Sequence, residues 1–196
     1  ATDARLMALN SQMNPHFIFN IVSSIQGIVL EKDSLKASDL LADFAQFIRK
    51  TLLQSQNRHH TIKEELLFIK EYTELQKIRF SNSFEYEAII SEKELLGKKI
   101  PTMLIQPIIE NAIIHGISPL KTVGDITINI RKKNANTLEI LVSDNGVGYK
   151  PHSASKSSKG ITLTENRLKL WDKKNSFEMR TNDRSGAEAV FNIKIA

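Results

Sequence analysis

The stretch Leu138-Glu139-Ile140-Leu141-Val142-Ser143-Asp144-Asn145-Gly146-Val147-Gly148 decides the fold. Leu138, Ile140 and Val142 recur at the period of two that marks a half-buried strand. The run then stops on an acid, Asp144, followed by two glycines with one residue between them. Upstream, Ile126, Ile128 and Ile130 repeat the alternation, and Lys133 to Thr137, with two asparagines, reads as the hairpin connection between the two runs. From Gly124 onward, therefore, the chain builds sheet.

A carboxylate at the end of a strand can accept hydrogen bonds from an exocyclic amine such as the N6 of adenine. Glycines beside it let the backbone take positive φ and approach a ligand closely. An ordinary β-turn uses the same residue types, so the segment alone leaves both readings open.

Working outward, residues 149 to 160 are rich in serine, lysine and glycine and are expected to form a mobile loop. Ile161 to Asp172 resumes as helix, and Phe177 to Ile195 reads as a closing hairpin. On the other side, a helix is expected from about Pro101, placed at its first turn, to His115. Residues four apart share a helix face, so Asn111 and His115 point the same way. A neutral amide oxygen, with phosphate oxygens and water, suits Mg²⁺, which takes few protein ligands; His115 could meet phosphate or ribose. The plainer alternative is that both residues terminate the helix ahead of Gly116.

Further upstream lie a strand, Phe84 to Ile90, and a helix from Thr61 to about Phe80, with Thr61 and Glu64 forming a capping box. Asn57 to His60 is a polar hinge and the expected boundary between residues 1–57 and 58–196. Before it, residues 3 to 30 read as one helix with a stripe of Leu6, Leu9, Met13, Phe17, Ile21, Ser24 and Ile28, and a second stripe of Ile18, Val22, Ile25 and Val29 beside it. A second helix, about 35 to 56, carries Ala37, Leu41, Phe44, Ile48 and Thr51 near a heptad rhythm, with Leu40, Phe47 and Leu52 adjacent. Two such helices cannot bury both faces of the first. A hairpin from a second copy would complete a four-helix bundle, so a homodimer is expected. The class is α+β, helices first and a mixed layer after.

The first helix also holds Asn14-Pro15-His16-Phe17-Ile18-Phe19-Asn20. An exposed, unprotonated imidazole is a nucleophile toward a phosphoryl group, and Asn20 shares the stripe of His16 and could orient the ring. A structural bundle histidine is the alternative. Pro15, which would kink a helix interior, favours a functional segment.

Composition narrows the partners. The 196 residues include no cysteine, which removes disulfides and thiolate metal sites. The formal charge of +5 suits an anionic ligand, but the basic residues are dispersed and lack the arginine-rich or aromatic-basic pattern of nucleic-acid binders. No segment reaches the roughly 18–20 apolar residues of a membrane span. No membrane contact is expected for this part of the chain, and an upstream membrane or sensor region is expected in the full protein.

Three of these segments together resemble the catalytic part of LytS/YehU-type sensor histidine kinases. Gln12-Met13-Asn14-Pro15-His16-Phe17-Ile18-Phe19-Asn20 is similar to that family's phosphoacceptor box, and Ile105-Gln106-Pro107-Ile108-Ile109-Glu110-Asn111-Ala112-Ile113-Ile114-His115-Gly116 to its N-box. Asp144 to Gly148 resembles the first glycine box of the wider GHKL ATPases, which include gyrase-type ATPases and heat-shock chaperones. Gly160 to Leu168 is similar to the glycine-containing segment after the ATP lid.

The resemblance implies a dimeric four-helix bundle followed by a GHKL-type α/β sandwich. It implies that His16 is phosphorylated from ATP and passes the group to an aspartate on a response-regulator receiver domain. Asn111 would hold Mg²⁺, Asp144 would bind adenine, and Gly146, Gly148 and Gly160 would shape the nucleotide loops. The fragment would be cytoplasmic and the full protein anchored in a bacterial inner membrane. The chain departs from the pattern at Ile114, where relatives often carry lysine, at Thr162, where many have a second glycine, and at Ala187, where threonine is common. Lys156, Lys159 or Arg167 could supply the missing phosphate contact from the lid side. Pro107 stands where a gyrase-type hydrolase has its catalytic glutamate, which argues against hydrolysis. The remaining alternative is a GHKL-type ATP-binding signalling module without kinase activity.

Overall fold

The computed structural model describes residues 15–54, 56–80, 83–149 and 157–195, with backbone alone at 15, 16 and 157–159. Leu6, Leu9, Met13, the Gln12 to Asn14 part of the phosphoacceptor box and Lys156 lie outside the described residues. The chain divides into two compact units. One takes in residues 15–58 and 71–80, the other residues 59–70 and 83–195.

The first unit is a helical hairpin of α1 (Pro15–Leu30) and α2 (Ser34–Gln54), joined by the expected turn and completed by the later part of α3 (Ile62–Arg79). Its core is aromatic. Phe17 packs against Phe47 and Tyr72 with ring centroids 5.5 and 5.1 Å apart, and Phe44 closes the cluster at 6.2 Å. Lys50 pairs with Glu71 at its edge. On α2 the buried row is Ala37, Leu40, Phe44, Phe47 and Thr51. This corrects the expected stripe at two positions: Leu41 is exposed and Ile48 only half-buried, and their neighbours Leu40 and Phe47 take the core; both rows alternate steps of three and four, and the buried one takes the step of three first. On α1, Phe17, Ile21 and Ile28 are buried, whereas Val22 and Val29 of the second stripe are exposed.

The second unit is built on a five-stranded sheet in the order β2-β4-β5-β7-β6, with β2 (Phe84–Ile90), β4 (Gly124–Asn134), β5 (Thr137–Asp144), β6 (Ser176–Thr181) and β7 (Ala187–Lys194). β2 runs parallel to β4 and the other neighbours are antiparallel. The register sets Ile126, Ile128 and Ile130 opposite Asp144, Val142 and Ile140, so all six lie on the buried face. The opposite face is polar at its surface, with Arg131 and Lys133 paired to Glu139 and Arg180 to Glu188. The β4–β5 turn is tighter than the sequence suggests, since Asn134 already pairs with Thr137 and its side chain accepts the N–H of Asn136 at 3.0 Å.

Three sequence expectations change here. Asn57 to His60 is not wholly a polar hinge: β1 (His59–Thr61) pairs antiparallel with β3 (Lys99–Pro101), and His60 is buried. Pro101 therefore ends a strand instead of opening a helix. Met103 then takes a left-handed φ of 54°, and the helix, α4 (Gln106–Asn111), starts five residues late with Pro107 in its first turn. A π-helical turn, Ala112–Ile117, continues it, closed by the N–H of Ser118 on the carbonyl of Ile113 at 2.9 Å. The capping box is present: Thr61 Oγ1 accepts the N–H of Glu64, and Glu64 accepts the N–H of Thr61 at 2.7 Å. α5 (Ser157–Trp171) begins earlier than expected, so Lys159 and Gly160 are helical and not part of a loop. No described helix is long and apolar enough to cross a membrane.

Candidate nucleotide-binding cleft

Strand alternation alone carries Asp144 to the site. It continues the row of Leu138, Ile140 and Val142, so its carboxylate turns to the buried face at the open end of the sheet. Oδ1 accepts the N–H of Gly146 at 2.8 Å and that of Ala187 at 3.2 Å. Oδ2 takes no hydrogen bond from the described residues and is the oxygen left for a ligand. Burial pushes the Asp144 carboxyl above its usual range, and the two backbone N–H groups pull the other way.

The glycine loop is packed against the end of the N-box segment. A Cβ on Gly146 would lie 2.4 Å from the Gly116 carbonyl carbon, and the N–H of Val147 donates to the Gly116 carbonyl at 3.1 Å. Gly148 has φ +83°, a backbone conformation that L side chains rarely adopt. The loop is thus shaped by close approach and by chirality, which an ordinary β-turn reading does not require.

Facing Asp144, Ile108, Asn111, Ala112 and His115 form one row of α4 and its π turn. With Val142, Ile161, Met179, Ala189 and Gly148 they enclose a cleft of about 200 Å³. That is below the ~300–1,000 Å³ of a pocket that swallows a whole drug-sized ligand, so it takes one end of a ligand and leaves the rest at the mouth. The walls are apolar and the polar groups are few. Nδ2 of Asn111 is buried without a hydrogen-bond partner among the described residues, which is a cost unless something bound supplies one.

The family model described as histidine kinase matches residues 4–84. The sensor histidine kinase BtsS of Escherichia coli (strain K12) is 32% identical over 168 residues, 86% of this chain and 29% of that protein. The sensor histidine kinase/phosphatase LytS of Staphylococcus aureus (strain MRSA252) is 33% identical over 146 residues, 74% of this chain and 25% of that protein. The chain belongs to the LytS/YehU-type sensor histidine kinases. The chain spans under a third of the length of those two relatives. The histidine kinase domain of the Erythrobacter litoralis EL346 blue-light activated histidine kinase matches it with a TM-score of 0.51 at 10% identity, over 91% of this chain and 92% of that one. At that identity the likeness shows the fold alone: helices followed by a five-stranded sheet.

Within the kinase fold, the expected site residues divide. Asn111, His115, Asp144 and Gly148 meet in the cleft, and Gly146 supports it. Gly160 sits behind it: a Cβ there would be 3.8 Å from Asn111 Nδ2 and from Pro107 Cβ. Thr162 is exposed on α5. Arg167 is a correction. Its guanidinium does not reach the cleft, because Nη1 donates to the carbonyls of Thr102 and Met103 at 2.9 and 2.7 Å. The backbone of His16 lies in the first turn of α1, and Asn20 is half-buried on the same helix.

Sequence reading missed Asn182. Its Nδ2 donates to the backbone carbonyls of Asp144 and Ala187 at 2.8 and 3.2 Å, and its Oδ1 accepts the N–H of Arg184 and Gly186 at 3.0 and 2.9 Å. One amide thereby ties the β6–β7 turn to the end of β5. The signal was the turn composition of Asn182 to Gly186, since an asparagine that bonds its own backbone two residues on is a known turn former.

Proposed function

We propose that this chain is the kinase core of a two-component sensor, which binds ATP in the cleft and transfers its γ-phosphoryl group to His16. The observation that carries the reading is the pairing of an acceptor and an unsatisfied amide across one apolar cleft: Asp144 Oδ2 at the strand end, Asn111 at the helix end. Asp144 accepts the exocyclic amine of adenine, with Val142, Ile161, Met179 and Ala189 against the ring. Asn111 would hold Mg²⁺ through its side-chain oxygen, and the donor set fits: a neutral amide in a cleft with an open mouth would leave the remaining positions to phosphate oxygens and water. Bound there, Mg²⁺ would supply charge neutralisation on the phosphates. His115, exposed at the rim, faces the phosphate or ribose.

In the transfer, a ring nitrogen of His16 bonds to the γ-phosphorus as the bond to the β–γ bridging oxygen breaks, leaving ADP. Catalysis rests on alignment and charge neutralisation more than on acid–base chemistry. Asn20, one helical turn on, orients the imidazole. Residues 1–57 serve as the dimerisation and phosphotransfer hairpin and residues 58–196 as the ATP-binding domain. Exposed Val22, Val29, Leu41 and Leu53 on the hairpin support a homodimer. The phosphoryl group then passes to an aspartate of a response-regulator receiver domain. The full protein carries an upstream sensor region at the membrane, with this part on the cytoplasmic side.

The test is incubation with γ-labelled ATP and Mg²⁺, followed by acid and alkali treatment. Label that survives alkali, is lost in acid and is absent from His16→Gln supports the kinase. ATP binding without any such label favours a nucleotide-binding signalling module instead.

A further inference from the structure

Away from the cleft, buried polar groups converge on the loop that launches α4. Glu65, on α3, is fully buried. It is the neighbour of the capping residue Glu64, but one step around the helix turns it inward. Its Oε1 accepts the N–H groups of Ile105 and Gln106 at 2.7 and 3.2 Å, and its Oε2 accepts that of Met103 at 3.2 Å. From the other side, Arg167 on α5 donates to the carbonyls of Thr102 and Met103.

The consequence for Met103 is specific. Its left-handed backbone is rarely adopted by a residue with a side chain, and here its N–H is held by Glu65 while its carbonyl is held by Arg167. α4 is short and its N-cap, Ile105, offers no side-chain cap. The N–H groups that a helix start leaves orphaned are met by a carboxylate from another helix, whose charge also suits the positive end of the helix dipole. Burial lowers the pKa of Arg167 and the Glu65 charge raises it, so the two feel each other. His60 Nε2 lies 2.5 Å from Glu65 Oε2, close enough for an ion pair but without the alignment of a hydrogen bond.

We infer that Glu65 and Arg167 are positioning residues: a two-sided clamp on residues 102–106 that fixes α4, and through it sets Asn111 for the metal and phosphate end of the nucleotide. This rests on the reading of the cleft as an ATP site. It gives Arg167 a role that its place after the lid segment does not suggest.

The test uses Glu65→Gln, Arg167→Lys and Asn111→Ala in the whole chain, with two readouts. Hydrogen exchange without nucleotide follows the amides of Met103, Ile105 and Gln106. Calorimetry follows ATP affinity with Mg²⁺ and with EDTA. Glu65→Gln keeps one acceptor oxygen but turns an amide toward a backbone donor, and Arg167→Lys keeps the charge without the planar fork. Both clamp variants are expected to speed exchange at those amides and to cut the Mg²⁺-dependent gain in ATP affinity by about three- to tenfold, the scale of one buried hydrogen bond. Affinity in EDTA should stay within about twofold, since Asp144 is untouched. Equal losses with and without Mg²⁺ would mean a merely structural role and overturn the clamp. So would an unchanged Mg²⁺ gain in both clamp variants when Asn111→Ala abolishes it. If Asn111→Ala itself keeps the gain, the reading of the cleft fails and the clamp with it. Should Glu65→Gln not fold, Arg167→Lys decides by the same criteria.

Discussion

The two ends of the cleft are built differently. At the strand end, Asp144 is placed by β5 itself, in register with β4, and its surroundings are backbone: Gly116, Gly146 and the β7 N–H of Ala187. At the helix end, Asn111 sits on a helix of six residues that breaks into a π turn and is fastened by side chains from two other helices. A strand paired on both sides carries its own rigidity. A short helix must borrow it, and π turns of this kind are frequent at functional sites.

The strand end should therefore tolerate no added atom. A Cβ on Gly186 would fall 1.9 Å from the Asp144 carbonyl oxygen. Gly186→Ala is expected to lose about 1–3 kcal/mol or more of stability, as overpacking does, read as a lower midpoint of urea unfolding at unchanged slope. Gly160→Ala, beside Asn111, meets only ordinary van der Waals contact and serves as the comparison. If the two glycines respond alike, the contrast between the ends is wrong.

A smaller effect sharpens the same contrast. Burial raises the native pKa of Asp144 above its unfolded value. An acid raised in this way favours the folded state while protonated and withdraws that contribution as pH climbs from the ordinary carboxylate value through the raised one. Without nucleotide, Asp144→Asn should be more stable than the parent at neutral pH, with the advantage shrinking as pH falls through that window. Thermal unfolding across pH checks it; a constant difference at all pH values would assign the change to something other than the charge.

The same difference explains what the sequence made legible. Period-two alternation was enough to put Asp144 on the buried face, because a strand's register leaves one outcome. The capping box of Thr61 and Glu64 was readable because its partners are three residues apart. Glu65, next along, was not, since its partners are some 40 residues away and only the fold brings them together. Pro101 misled because proline suits both the end of a strand and the start of a helix, and Pro107 was the better marker. The π turn has no sequence signature that separates it from α-helix. Arg167 was read by its proximity to the lid segment in sequence, whereas its guanidinium is spent on the carbonyls of Thr102 and Met103.

The measurement closest to the central claim is calorimetric titration of ATP into Asp144→Asn. The replacement amide still presents Oδ1 to Gly146 and Ala187 but puts a donor where Oδ2 accepts the adenine amine. ATP binding should weaken by about 1–3 kcal/mol, the cost of a buried hydrogen bond left unmade, with Mg²⁺ and with EDTA alike. Unchanged affinity would remove Asp144 from the nucleotide site and contradict the account.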